Sequence, residues 1–124
     1  MALDQATSLS LARIAVGAAS WANPELGLKY AQLDPEAPQS PYLLRLFGAR
    51  DVALGLVTLL AKPEHKPALL KVGLAVDAAD GGAAVLALQK KQVDTVPGVI
   101  LAGAAGAAVL AGVIALSQQR TPKA

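Results

Sequence analysis

The chain contains no cysteine. Disulfides, thiol nucleophiles and cysteine-ligated zinc or iron–sulfur centres are excluded with it. Histidine is nearly absent as well. His65 stands alone between Pro63 and Pro67 in a charged turn, and no serine is placed to use it as a catalytic base. Aromatics make up 3% of the residues, one Trp, two Tyr and one Phe. A water-soluble core of this size normally wants more large side chains than that. An excess of one charge is missing too: 11 Lys and Arg face 9 Asp and Glu. The basic residues are scattered, so there is no footprint for nucleic acid. No strand pattern is evident, and with it goes any Gly-rich phosphate loop of the strand–loop–helix type. These absences predict a protein that is not an enzyme and that has no metal site and no cofactor.

What remains is 54% hydrophobic, much of it alanine, with 11 glycines besides. A length of 124 residues allows one domain. Helices that pack closely in lipid favour small residues at their contacts. Four helix-length apolar segments stand out, at about 6–22, 42–61, 68–88 and 96–116. The fold expected is all-α, a single four-helix transmembrane bundle over 1–124.

The first segment lacks a basic start and an A-x-A cleavage pattern and has Arg13 in its middle, so it is read as a retained helix and not a leader. Ser10, Arg13, Gly17 and Ser20 share one small and polar stripe, which predicts the face turned to other helices. Asn23-Pro24 ends this helix. Residues 24–41 form the longest connection, with GLKYAQLD inside it as one or two interfacial helical turns. Trp21, Tyr30 and Tyr42 flank that connection like an aromatic belt. In the second segment Gly48, Asp51 and Gly55 share a face, and Arg50 points about 100° away from Asp51. Arg45 lies near enough to the end to snorkel outward. The third segment carries Gly73, Asp77, Asp80, Gly81 and Ala84 on one face. The fourth has no charge from Val96 to Leu116, a good match to the ~20 residues a bilayer core needs. Its small-xxx-small pairs, Gly103 with Ala107 and Ala108 with Gly112, permit close helix approach. Gly48, Gly55, Gly106 and Gly112 are the predicted helix-packing glycines.

Charges inside apolar segments are costly without partners. Arg13, Arg45 and Arg50 against Asp51, Asp77 and Asp80 can balance. Arg13, Arg50, Asp51, Asp77 and Asp80 are therefore the candidate site. Two readings stand open. One is a structural ion-pair network that fixes helix neighbours. The other is a lipid or quinone site at the centre of the bundle. The same residues carry part of a phosphotransferase motif. DAADGGAA, residues 77–84, fits the opening D-x-x-D-G-x-x-A of the CDP-alcohol phosphotransferases. Val85 then stands where Arg belongs, and the second half of the motif does not follow.

Lysines and arginines also suggest an orientation. Lys62, Lys66, Lys71, Arg120 and Lys123 fall at one end and Lys29, Lys90 and Lys91 at the other. The excess predicts cytoplasmic termini.

The stretches LARIAVGAASWANP (11–24), LDPEAPQSPYLLRLFGARDVALGL (33–56) and GLAVDAADGGAAVLAL (73–88) resemble an uncharacterised family of small four-span bacterial membrane proteins of actinobacterial type. An R-L-F-G-x-R-D core with a following D-x-x-D carries the likeness. Arg13 and Gly17 give a more distant resemblance to DoxX-type proteins. The resemblance implies four helices in the bacterial plasma (inner) membrane and no transferable activity. The expected function is a small integral membrane protein, a structural or accessory subunit of a membrane complex. Its expected partners are membrane lipids and either another membrane protein or a second copy of itself, with no nucleic acid.

Overall fold

The computed structural model describes residues 4–33 and 40–120, the side chains of Tyr30, Ala31, Ser40 and Arg120 excepted. Pro35 and Pro38 of the long connection and Lys123 of the tail lie outside the described residues, as does the belt role of the Tyr30 side chain. Among the described residues the fold is all-helical. It comprises α1 (Gln5–Ala22), α2 (Pro24–Ala31), α3 (Ser40–Leu60), a 3-10 turn (Pro63–His65), α4 (Lys66–Gln89) and α5 (Thr95–Arg120). The four long helices match the four predicted segments to within a few residues. Their expected character as membrane spans is met in part. Among the described residues, only Thr95–Gln119 of α5 is long and apolar enough to cross a membrane by length and composition. Charges inside α3 and α4 and the many small polar residues of α1 make those helices less apolar.

Local chemistry explains the helix ends. Asp4 caps α1, accepting from the Thr7 N–H at 2.8 Å, which satisfies one of the donors a helix start leaves free. Asn23 closes α1 through its own N–H to the Ala19 carbonyl. It then caps α2, where Pro24 occupies the first turn. The fixed φ of proline suits that position, and its missing N–H is not needed there. The helix inside the long connection therefore begins at Pro24, earlier than the GLKYAQLD stretch implied. Its Leu28 is 1% exposed, so α2 is partly buried and not merely laid on an interface.

The long helices run up and down in alternation. Gly17 lies beside Gly48 while Gly55 lies beside Ser10, so α1 and α3 are antiparallel. Gly98 lies beside Leu88 and Gly112 beside Leu74, so α4 and α5 are antiparallel too. α1 also meets α5: Ala6, Leu70 and Ala115 cluster at the end that holds the 3-10 turn, and the Gln5 N–H donates to Gln118 Oε1 at 2.9 Å. The order around the bundle is α3, α1, α5, α4. The α3–α4 seam is the one least closed by packing.

The α1–α3 contact is a backbone contact. A Cβ on Gly17 would lie 2.6 Å from the Gly48 carbonyl oxygen and 2.8 Å from the Val52 nitrogen. One on Gly55 would lie 2.6 Å from the Ser10 carbonyl oxygen. Only glycine admits such an approach, and dispersion between the two backbones is the return. The predicted stripe is the packed face: Ser10, Gly17 and Ser20 are all buried.

α5 behaves differently. Gly112 packs against Leu74, where a Cβ would meet Cγ at 3.1 Å. Gly106 and Gly103 have nothing within 4 Å of that position, so neither packs a helix within the bundle. At 100° per residue, Gly103 points about 180° and Gly106 about 120° away from Gly112. One face of a helix cannot hold all three.

Gly17→Ala and Gly48→Ala are expected to destabilise the bundle by about 1–3 kcal/mol, because backbone must move. Gly106→Ala is expected to be neutral or slightly stabilising, since alanine favours helix over glycine. Thermal unfolding of the three variants checks this. Equal losses at all three positions would contradict the packing described.

Candidate functional site

Arg13 projects from the middle of α1 toward the centre of the bundle. Its Nη1 donates to Asp51 Oδ1 on α3 at 3.1 Å and to Asp77 Oδ1 on α4 at 3.1 Å. Its Nη2 donates to Asp77 Oδ2 at 2.5 Å. One planar guanidinium thus makes a two-pronged pair with Asp77, the geometry to which its fork is suited, and reaches a second carboxylate beside it. The three side chains are 10%, 9% and 8% exposed.

Two features of the sequence make room for this. Gly17 and Gly55 let α1 and α3 approach until Asp51 is within reach. Gly73 lies one turn before Asp77, and a Cβ there would sit 3.0 Å from Arg13 Nη2. The guanidinium passes over a bare backbone.

Arg50 and Asp80 were expected in the same buried network. They form a separate pair, Nη2 to Oδ2 at 2.6 Å, with side chains 42% and 37% exposed. Helix geometry gives the reason. Arg50 is about 100° around α3 from Asp51, and Asp80 about 60° around α4 from Asp77. Each helix therefore turns one charge inward and one toward the open α3–α4 seam. Asp77 and Asp80, adjacent on one face by sequence, serve different arginines. The charge balance read from sequence does not close locally either. The buried trio carries a formal −1 with both carboxylates ionised, while Arg50 is turned to Asp80.

Arg45 does not simply reach outward. Its Nε donates to the Trp21 carbonyl at 3.0 Å, and its guanidinium lies 5.7 Å from the Trp21 ring centroid. The last carbonyls of a helix have no intrahelical donor, and a cation there also suits the helix dipole. Sequence reading missed this role. The usable signal was the pairing of a basic residue near the start of one helix with the bare end of its antiparallel neighbour.

Chemically, the centre is full. The crevice beside Arg13, lined by Ser10, Leu54, Thr58 and Leu70 among others, holds about 10 Å³, at the edge of what one water needs. Thr58 Oγ1 is turned to the Leu54 carbonyl at 2.8 Å. No buried side-chain nitrogen or oxygen among the described residues lacks a hydrogen-bond partner. His65 sits in the exposed 3-10 turn, away from the trio.

The chain matches no family model, no curated protein and no solved structure. The resemblance to small four-span bacterial proteins rests on the motif residues alone.

Asp77→Asn breaks the two-pronged pair and leaves Arg13 with Asp51 alone, and is expected to cost about 1.5–3 kcal/mol. Asp80→Asn, at the open seam, is expected to cost clearly less. Gly73→Ala is expected to fall between them, by pushing the guanidinium off Asp77. Unfolding midpoints of the three purified variants test the order. A loss from Asp80→Asn equal to that from Asp77→Asn would sink it.

Proposed function

We propose that this chain is a non-enzymatic integral membrane protein, with α1, α3, α4 and α5 as four transmembrane spans. In this reading it serves as a structural or accessory subunit in a bacterial plasma membrane. The observation that carries it is the inverted distribution of polarity. The interior holds Ser10, Ser20, Asp51, Thr58 and Asp77, with few large apolar side chains beside Leu28 and Leu70. The exterior holds Leu43, Leu46, Val57, Leu60, Val99 and Leu110, together with many more. In water an apolar exterior this broad would drive association. In a bilayer it is the solvated surface, and polar groups belong inside with partners.

The charged trio then acts as a clasp. In low dielectric each of its members is costly alone, so the paired arrangement selects one set of helix neighbours and one register. A quinone or lipid head at the trio finds no vacant volume, and the clasp reading is preferred for that reason. The partner faces are those the bundle leaves unused, chiefly the Gly103 and Gly106 side of α5, which suits another membrane helix or a second copy. The end carrying the 3-10 turn and both termini is assigned to the cytoplasm from the lysine and arginine count.

The cysteine-free sequence makes topology directly testable. Single-cysteine variants Glu64→Cys and Gln92→Cys, in exposed turns at opposite ends, are treated with a membrane-impermeant maleimide on intact cells. Gln92→Cys is expected to label, and Glu64→Cys only after lysis. Equal labelling of both in intact cells, or recovery of the chain in the carbonate-soluble fraction, would refute the reading.

A further inference from the structure

α3 and α4 are tied at two places. The Arg50–Asp80 pair holds them near mid-length, and the 3-10 turn joins them at one end. Between these ties lies a groove, open on its outer side, with a cavity volume of about 620 Å³. Its walls are Leu56, Val57 and Leu60 of α3 with Ala68 and Leu69 of α4, and His65 of the turn closes its end. Val57 lies seven residues from Arg50 and Leu69 eleven from Asp80, so groove and ion pair share the same helix faces. The long Arg–Asp bridge and the small Ala61 and Ala68 keep the seam from closing.

We infer that this groove binds one acyl chain of an anionic phospholipid, with the lipid phosphate held at the turn by Lys62, His65 and Lys66. The inference rests on the membrane reading above. Three observations converge on it. Apart from His65 at its end, the lining is aliphatic and fits a hydrocarbon chain. The volume falls in the roughly 300–1,000 Å³ range of ligand pockets. His65 lines the groove's end, and the segment that carries it, KPEHK, adds two lysines next to it in sequence against one carboxylate, Glu64, which lies 3.8 Å from His65 Nε2. This end is also the one assigned to the cytoplasmic leaflet, where anionic lipids and basic residues attract each other. A phosphate at the turn and a chain pointing toward mid-membrane is the orientation a lipid of that leaflet already has.

The test uses the full chain in detergent, titrated with phosphatidylglycerol or phosphatidylcholine of identical acyl chains and read by native mass spectrometry. The first bound phosphatidylglycerol is expected to bind tighter than phosphatidylcholine. Lys62 is exposed just before the turn and Lys66 half-buried at the start of α4; Lys62→Gln and Lys66→Gln are each expected to weaken phosphatidylglycerol about fivefold while leaving phosphatidylcholine unchanged. Ala68→Trp fills the groove and is expected to abolish the first adduct. Val57→Trp fills it from the other wall and serves where Ala68→Trp lowers the unfolding midpoint. Equal binding of both lipids, or a phosphatidylglycerol adduct that survives both tryptophans, overturns the inference. So does a homodimer that Ala68→Trp splits and that lipid does not affect. Carbonate extraction of the same preparation separates the two levels. A chain that stays with the membrane but ignores lipid charge refutes only the lipid site. A chain that leaves the membrane refutes the membrane reading itself.

Discussion

The bundle depends on one guanidinium. Arg13 links α1 to α3 through Asp51 and, across the diagonal, to α4 through Asp77. Among the described residues no other side chain is shown joining as many of the long helices through strong bonds. The interior it occupies has few large apolar residues, so hydrophobic burial among the helices is small. Directional, charge-assisted bonds therefore decide which helices are neighbours. Such bonds are stronger where water is scarce, and the penalty for a wrong register grows in the same proportion.

The glycines and the clasp are two halves of one device. A bond of about 3 Å between side chains on three helices requires that the helix axes come close. Gly17, Gly48 and Gly55 let α1 and α3 meet backbone to backbone. Gly73 then clears the path of the guanidinium to Asp77. Arg45 fastens the other end of the same helix pair by occupying the free Trp21 carbonyl. By contrast, the α3–α4 seam has an exposed ion pair and a tight turn but little packing between them. Close packing and an open groove thus arise from the same choice of small residues, on faces about a third of a turn apart.

Much of this was legible in the sequence because helical periodicity speaks plainly there. The four long helices, the buried face of α1 and the divergence of Arg50 from Asp51 all follow from 100° per residue. What was not legible required knowing how each helix is rotated. Gly106 and Gly112 look alike in sequence, but only Gly112 faces a neighbour. Asp77 and Asp80 look like one acidic face, yet 60° sends one to the centre and the other to the seam. The role of Arg45 depends on the free end of a helix more than twenty residues away, and nothing local announces it. The number of membrane spans is the least legible feature. Composition pointed to four spans, whereas charge within three helices leaves only α5 apolar enough by itself.

The most direct test of the clasp is a double-mutant cycle between Arg13 and Asp77, using Arg13→Met, Asp77→Leu and the pair. Unfolding free energies of the purified proteins supply the four corners. With Asp51→Asn as the common background, so that no second carboxylate is left unpaired, each single change is strongly destabilising if the two residues form one buried ion pair, and the double change recovers a large part of the loss, because no charge is stranded. If the losses simply add, Arg13 and Asp77 act independently and the clasp does not organise the bundle.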